Sequence, residues 1–352
     1  MLENFFSPKD VAEFRVWLDW TDNFFITVHK SPDGDAVGSA LALAHYLRIK
    51  DKNVTIAMHD NPPDFLMWMP GISDILITTN DMEKIQAASE SADVICCLDF
   101  NTPDRCGSIS TFVKESRAKK IMIDHHPEPD DFCDVMLSRP ESSSTCELIF
   151  HLICALGDWG EVTRQIAECI CTGMITDTGG FAYNSNSPQF FFIISQLMEK
   201  NVDKDLLYRR IFNNYSEDRL RLTGFVLSEK MQIIPECNCA FITLSAQEKK
   251  RFHCSYGDTE GLVNMPLQIR GIRMSAFFHE DLQSGIIKVS LRSVGEVPAN
   301  RFAGEFFGGG GHLNAAGGEF NGTVQQCVET LRRGLKQWEM SEDSAVKSLF
   351  VK

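Results

Sequence analysis

Phe24-Phe25-Ile26-Thr27-Val28-His29-Lys30-Ser31-Pro32-Asp33-Gly34-Asp35 is the stretch on which the reading of this chain turns. An apolar run ends at Val28, a polar turn follows, and Ala36 to Ile49 continues with helical character. The order is strand, tight turn, helix. Pro32 and Gly34 bend the chain between the carboxylates. His29, Asp33 and Asp35 are three potential metal ligands in one turn. Asp33 and Asp35 are two apart and can point in different directions, which suits two neighbouring ions better than one. A solvated Pro-Asp-Gly turn that caps a helix is the competing reading.

The rest of the chain weighs against that reading. Asp99 ends the apolar run Ala92 to Leu98, Asp124-His125-His126 ends Lys120 to Ile123, and Asp177 follows Cys169 to Thr176. Sites in open parallel sheets form outside the carboxyl ends of strands. Continuous apolar runs, rather than alternating ones, mark strands buried on both faces. The spacing predicts strands at Phe24–His29, Asn53–Met58, Asp74–Thr78, Ala92–Asp99 and Lys119–Asp124. Helices are expected over Asp35–Ile49, from a capping box at Ser144-Thr145-Cys146-Glu147 towards Gly157, over Glu161–Ile175, and from Ser187-Pro188 towards Lys200. Asp203–Asn213 and Ser216–Met231 read as a helical connector. Beyond it, strands at Ala240–Leu244, Arg273–Phe278 and Ile286–Leu291 and helices at Phe302–Phe306 and Thr323–Trp338 form a smaller unit.

The fold class is therefore α/β: a mainly parallel sheet flanked by helices over residues 1–200, a helical connector over 201–231, a smaller α/β domain over 232–340 and a polar tail over 341–352. A length of 352 residues suits about two domains. The formal net charge of −14 argues against binding long duplex nucleic acid, which calls for a basic footprint. It leaves room for a short anionic substrate, because divalent ions reverse the sign of an acidic pocket. No basic region leads an apolar one at the start, and no apolar run is long enough to span a bilayer. Twelve cysteines without a secretory signal point to reduced thiols in the cytoplasm. Cys96, Cys97, Cys169 and Cys171 sit in apolar runs and read as core. Cys237-Asn238-Cys239 lacks the second pair that a zinc clip needs.

His29, Asp33, Asp35, Asp99, His125 and Asp177 make up the candidate ligand set. Four carboxylates suit Mg and Mn, and two imidazoles pull the preference towards Mn, Fe or Co. A shared carboxylate can bridge two ions that acidify a water and neutralise phosphoryl oxygens. Neither a Gly-x-Ser-x-Gly elbow nor a phosphate-binding Gly-x-x-x-x-Gly-Lys-Ser/Thr loop is present. His126 is a candidate for proton transfer or phosphoryl contact, and Asp124 for orienting a ligand. Arg105 suits either substrate phosphate or plain surface. In the C-terminal unit, Gly308-Gly309-Gly310-Gly311-His312 allows backbone amides close to an anion, with a following imidazole donor. Arg292, near the end of a strand, can clamp a phosphate; Arg270 and Arg273 are weaker candidates. His45, His59, His151, His253 and His279 have no acids at ligand spacing and read as structural.

These motifs resemble the DHH phosphoesterases, named for the segment matched by Asp124-His125-His126. The opening turn resembles their His-x-x-x-Asp-x-Asp motif, Asp99 the second and Asp177 the fourth. Gly308 to His312, with Ser290 to Ser293 upstream, resembles the accompanying DHHA1 domain. The match runs from about residue 20 to 335 in family order. It is similar to the compact bacterial enzymes that act as oligoribonuclease (nanoRNase) and 3′-phosphoadenosine-5′-phosphate (pAp) phosphatase. The resemblance implies two divalent ions, Mn2+ by preference with Mg2+ or Co2+ as alternatives. It places His29, Asp33 and Asp99 on one and Asp35, Asp99, His125 and Asp177 on the other, with Asp99 bridging. It implies catalytic roles for Asp99, Asp124 and His126. Arg105, Arg292, Gly309, Gly310, Gly311 and His312 would bind substrate, the glycine loop and His312 facing the metals across a cleft. Expected substrates are short RNA or DNA oligonucleotides and small phosphonucleotides, with no membrane partner and with a homodimer left open. The alternative is a phosphodiesterase for cyclic or linear signalling dinucleotides, with polyphosphate or pyrophosphate hydrolysis behind it.

Overall fold

The computed structural model describes residues 5–255, 257–281 and 285–350. The chain divides into two compact units, residues 1–214 and 215–352. In the first, α1 (Pro8–Trp20) leads into β1 (Asn23–Val28), α2 (Gly34–Ile49), β2 (Asn53–Met58), β3 (Leu76–Ile77), α3 (Thr78–Ser91), β4 (Val94–Leu98), α4 (Ser110–Glu115), β5 (Lys119–Asp124) and β6 (Val135–Ser138). Helices α5 (Thr145–Ala155), α6 (Arg164–Asp177), α7 (Pro188–Glu199) and α8 (Lys204–Phe212) complete it. The strands form a six-stranded sheet in the order β3-β2-β1-β4-β5-β6, parallel throughout.

Both faces of this sheet are covered, which is why its strands read as unbroken apolar runs. Phe24, Ile26, Val28, Cys96, Leu98, Ile121 and Ile123 pack with α2, α5 and α6. Phe25, Ile95 and Cys97 face the other way, against Ile85 of α3 and Val113 of α4. The order reverses between β1 and β4, and that switch point opens a crevice at the strands' carboxyl ends.

The second unit runs α9 (Glu217–Phe225), β7 (Gln232–Ile234), β8 (Cys239–Leu244), α10 (Ala246–Arg251), β9 (Met274–Glu280), β10 (Ile287–Ser293), α11 (Ala299–Phe307), β11 (Gly310–His312), β12 (Ala315–Phe320), α12 (Val324–Glu339) and α13 (Ser344–Lys347). Its sheet has the order β11-β12-β10-β9-β8-β7, antiparallel except for the β8–β9 pair. Met274, Ala276 and Phe278 of β9 face Phe302, Leu331 and Trp338, whereas Phe277 faces Leu222 and Val226. That two-residue alternation sandwiches the sheet between two helical layers.

Several expectations need correction. The strand at Asp74–Thr78 shrinks to two residues, because Thr78 already opens α3. The helix expected over Glu161–Ile175 runs instead from Arg164 to Asp177, its last residue. The capping box at Ser144 is half formed. Ser144 accepts from the Glu147 amide, but the Glu147 carboxylate turns to the amide and hydroxyl of Ser143. The expected connector is divided, since α8 lies in the first unit and α9 in the second. Ser216–Met231 is not one α-helix: after Phe225 it becomes a π-helical turn, Val226–Lys230. The stretch after Met340 is no polar tail, for Val346 and Leu349 are buried in the second unit's core. Helices α1, α3, α4, α10 and α13 and strands β6, β7, β11 and β12 lie outside the expected elements. The last two hold so many small residues that neither apolar period shows.

Candidate functional site

Three adjacent strand ends build the site. Val28 pairs with Leu98, and Leu98 with Ile123. The next residues, His29, Asp99 and Asp124, therefore emerge side by side. The Asp99 amide donates to the Ile123 carbonyl at 3.0 Å, and its backbone turns left-handed at φ 62°. Among side-chain-bearing residues, aspartate is one of the few that enter that region readily.

Asp33 caps α2, its Oδ1 accepting from the amides of Asp35 (3.0 Å) and Ala36 (3.1 Å). The same oxygen lies 3.9 Å from His29 Nε2. Asp35 is buried, and the start of α5 holds it: Thr145 N donates to Oδ2 at 2.6 Å and Cys146 N to Oδ1 at 2.9 Å. Unsatisfied amides and the positive helix end favour a carboxylate there. Thr145 also donates its hydroxyl to Asp99 Oδ1 at 3.0 Å.

Glycines allow this convergence. A Cβ on Gly173 of α6 would lie 2.2 Å from Cys146 Sγ and 2.7 Å from Asp35 Oδ1. One on Gly38 of α2 would lie 2.8 Å from the Cys169 carbonyl oxygen. Helices α2 and α6 thus approach closely enough for Asp35 and Asp177 to meet. Thr145 and Cys146 read in the sequence only as part of a capping box, and Gly38 and Gly173 carry no site signal of their own there. A pair of small residues on facing helices was the available signal, and it is common in ordinary cores.

The two oxygens of Asp99 address different neighbours. Oδ2 lies 3.3 Å from His29 Nε2, and Oδ1 lies 3.5 Å from His125 Nε2 and 3.7 Å from His126 Nδ1. His125 Nε2 is also 3.5 Å from Asp177 Oδ2 and 3.9 Å from Asp35 Oδ2. Donor atoms fall into the groups His29–Asp33–Asp99, Asp35–His125–Asp177 and Asp99–His125–His126, each within 4.8 Å. All six expected ligands therefore converge. Nδ1 of His29 lies 2.8 Å from the Lys30 carbonyl oxygen, a contact that places its proton there and turns the Nε2 lone pair inward. His126 Nδ1 lies 2.7 Å from Asp124 Oδ1, so the fully buried Asp124 orients that ring.

Charge crowding dominates the electrostatics. Burial, then the charges of Asp99 and Asp33, push the Asp177 carboxyl up to about 8. Burial together with Asp99 and Asp177 raises Asp35 well above the ordinary carboxylate range. Burial works against a charged His29, but Asp99 outweighs it and lifts the ring to about 9. Burial likewise opposes ionisation of Asp99, yet His29 and His125 hold it below the usual range. A buried cluster with this surplus of carboxylate suits divalent cations. Its mixed oxygen and imidazole donors, without thiolate, suit Mn-like ions.

The remaining candidates fall into two places. Arg105 is half-buried beside the cluster: its carbonyl accepts from Lys30 N at 2.6 Å, and its guanidinium reaches Asn101 Oδ1 at 3.4 Å. Arg292 and His312 lie in the second unit, both in register with Ala315 of β12. Residues directly opposite in antiparallel strands share a face, so the two side chains stand two strands apart, about 10 Å. Gly310 and Gly311 belong to β11, not to a loose loop. A Cβ on Gly309 would lie 1.9 Å from the Gly317 carbonyl oxygen, and one on Gly311 2.5 Å from that of Ala315. Close backbone packing of the hairpin thus demands Gly309 and Gly311, whereas a Cβ on Gly310 would meet open space. Arg270 is exposed and Arg273 half-buried, outside that row. Of the histidines read as structural, His45 bonds the Pro70 carbonyl and His279 lies 2.7 Å from Lys249 Nζ.

Residues 23–174 match the DHH family, N-terminal domain, and residues 241–340 the DHHA1 domain. The chain belongs to the DHH–DHHA1 family. It is a hydrolase of the phosphoesterase class. An exopolyphosphatase-related protein from Bacteroides fragilis superposes with a TM-score of 0.93 at 48% identity, covering 96% of this chain and 98% of that one. The bifunctional oligoribonuclease and PAP phosphatase NrnA of Thermus thermophilus is 29% identical over 89% of this chain and 89% of its own length. The Bacillus subtilis protein of that name is 27% identical over 84% of this chain and 88% of its own. Among the described residues, no helix of this DHH–DHHA1 chain is long and apolar enough to cross a membrane.

Proposed function

We propose that this chain is a two-metal phosphoesterase that cleaves very short oligonucleotides to mononucleotides and removes the 3′-phosphate of pAp. The observation that carries the reading is Asp99, whose two oxygens face His29 and His125 at 3.3 and 3.5 Å. Such an arrangement would suit a carboxylate shared by two ions. The names of the NrnA relatives support the substrate class.

His29, Asp33 and Asp99 would hold one divalent ion, and Asp35, Asp99, His125 and Asp177 the second; Mn2+ is the proposed metal. Such a pair supplies Lewis acidity at phosphoryl oxygens and acidifies water. The chain's own residues do the rest. The α5 amides fix Asp35, and the Thr145 hydroxyl fixes Asp99. His126, its Nδ1–H held by Asp124, would act as an imidazolium that gives its second proton, at Nε2, to the departing oxygen and is left as the neutral ring. Arg105 would steady a substrate phosphate in the first unit, and Arg292, His312, Gly309, Gly310 and Gly311 are the proposed substrate-binding residues of the second.

Purified, Mn-loaded protein incubated with a 5-mer RNA, pAp, cyclic di-AMP and polyphosphate tests the proposal. Hydrolysis of the RNA and pAp is expected. Preference for cyclic di-AMP would keep the chemistry and replace the substrate, and turnover of polyphosphate alone would overturn the nucleotide reading.

A further inference from the structure

Resting on the nucleotide reading above, we infer that Tyr183 is a base-stacking residue, receiving the nucleobase of the substrate whose phosphate lies at the Asp177 cluster. Helix α6 ends at Asp177, and the turn that follows is bolted to it. Thr178 Oγ1 donates to the Met174 carbonyl at 2.6 Å and accepts from the Phe181 amide at 3.2 Å, while Tyr183 N donates to the Thr178 carbonyl at 3.2 Å.

Gly179 and Gly180 follow Thr178, with φ of 56° and 69°. The Tyr183 ring rests on Gly179 so closely that a Cβ there would lie 2.4 Å from its Cε1 and 2.9 Å from its hydroxyl oxygen. On the Gly180 side, the rings of Tyr208 and Phe212 occupy the equivalent space at 3.1 and 3.3 Å. Three aromatic rings thus flank a glycine pair. Gly179 is two residues from Asp177, a separation of at most about 7 Å between Cα atoms.

Tyr183 is 54% exposed although it sits in an ordered, hydrogen-bonded turn, whereas the neighbouring Phe190 is buried. A ring pinned edge-on against backbone, with much of its surface towards solvent, loses little conformational entropy when a base stacks on it. The carboxylate and imidazole cluster binds phosphate but offers no apolar plate for a base. Tyr183, six residues on from Asp177 and held on Gly179, would supply one. Base–aromatic stacking is sequence-tolerant, which fits a substrate class defined by length and not by base.

The test compares calorimetric binding of AMP and of ribose 5-phosphate, which lacks the base, to the full-length Mn-loaded chain. Wild-type protein should favour AMP by roughly tenfold. Tyr183→Ala should lose that preference while its affinity for ribose 5-phosphate stays unchanged, and Tyr183→Phe should retain it. Should the alanine variant fold poorly, Tyr183→Leu keeps Gly179 covered and must lose most of the preference. Equal binding of the two ligands by the wild type, no AMP binding, or a preference that survives in Tyr183→Ala or Tyr183→Leu overturns the inference. The comparison requires no turnover, so failure to cleave short RNA bears on the proposed function separately.

Discussion

Asp99 carries two burdens, a left-handed backbone at φ 62° and a carboxylate split between His29 and His125. The two are separable by substitution. Asparagine tolerates the backbone and removes the charge, whereas alanine removes the charge and adds strain of roughly 1–2 kcal/mol. Asp99→Asn and Asp99→Ala should both lose metal-dependent hydrolysis. Urea unfolding should find the alanine variant the less stable by about that amount. Full activity in metal-loaded Asp99→Asn would sink the bridging assignment. That Asp99 is a candidate site residue was legible, because an acid ending a buried apolar run has few structural uses. Its backbone conformation was not, since αL geometry here comes from the β4–β5 register.

At the scale of elements, the site depends on α2, α5 and α6 packing without intervening side chains. The Thr145 and Cys146 amides lie 110 and 111 residues beyond Asp35. No local pattern announces that such distant groups solvate a buried carboxylate. Gly173 is the element-level control point. Gly173→Ala should force Cys146 and Asp35 aside, destabilise the first unit by about 1–3 kcal/mol as overpacking does, and weaken Mn binding. Chemical denaturation and metal titration of the same variant check both; unaltered metal affinity would show that Asp35 placement does not depend on this contact. In the second unit, the row of Arg292, Ala315 and His312 is likewise a product of register. The glycine-rich segment signalled close backbone approach, but only the pairing shows that β12, not an anion alone, makes that demand.

At the scale of the whole molecule, two units with separate cores share one chain. All six proposed metal ligands lie in residues 1–214. Ligand binding stabilises the folded state by mass action, about 2.7 kcal/mol at a hundredfold excess over Kd. Mn2+ should therefore raise amide-exchange protection in α2, α5, α6 and the ends of β1, β4 and β5, and leave β8, β9 and β10 unchanged. Exchange measured by mass spectrometry with and without Mn2+ reads this directly. Equal protection of both units would place metal outside the proposed cluster.

The amino-acid sequence alone determined the α/β class, most sheet strands and the candidate ligand set. Unbroken apolar runs mark parallel strands, and polar residues ending them mark the crevice. Tertiary structure alone decided the strand order with its switch point, the α5 amides on Asp35 and the two-sided use of Asp99. It also revealed the ring of Tyr183 on Gly179. The reason is physical. Apolar periodicity is a property of short segments, whereas electrostatic solvation and close backbone contact are set by residues that meet only after the sheet and its helices have packed.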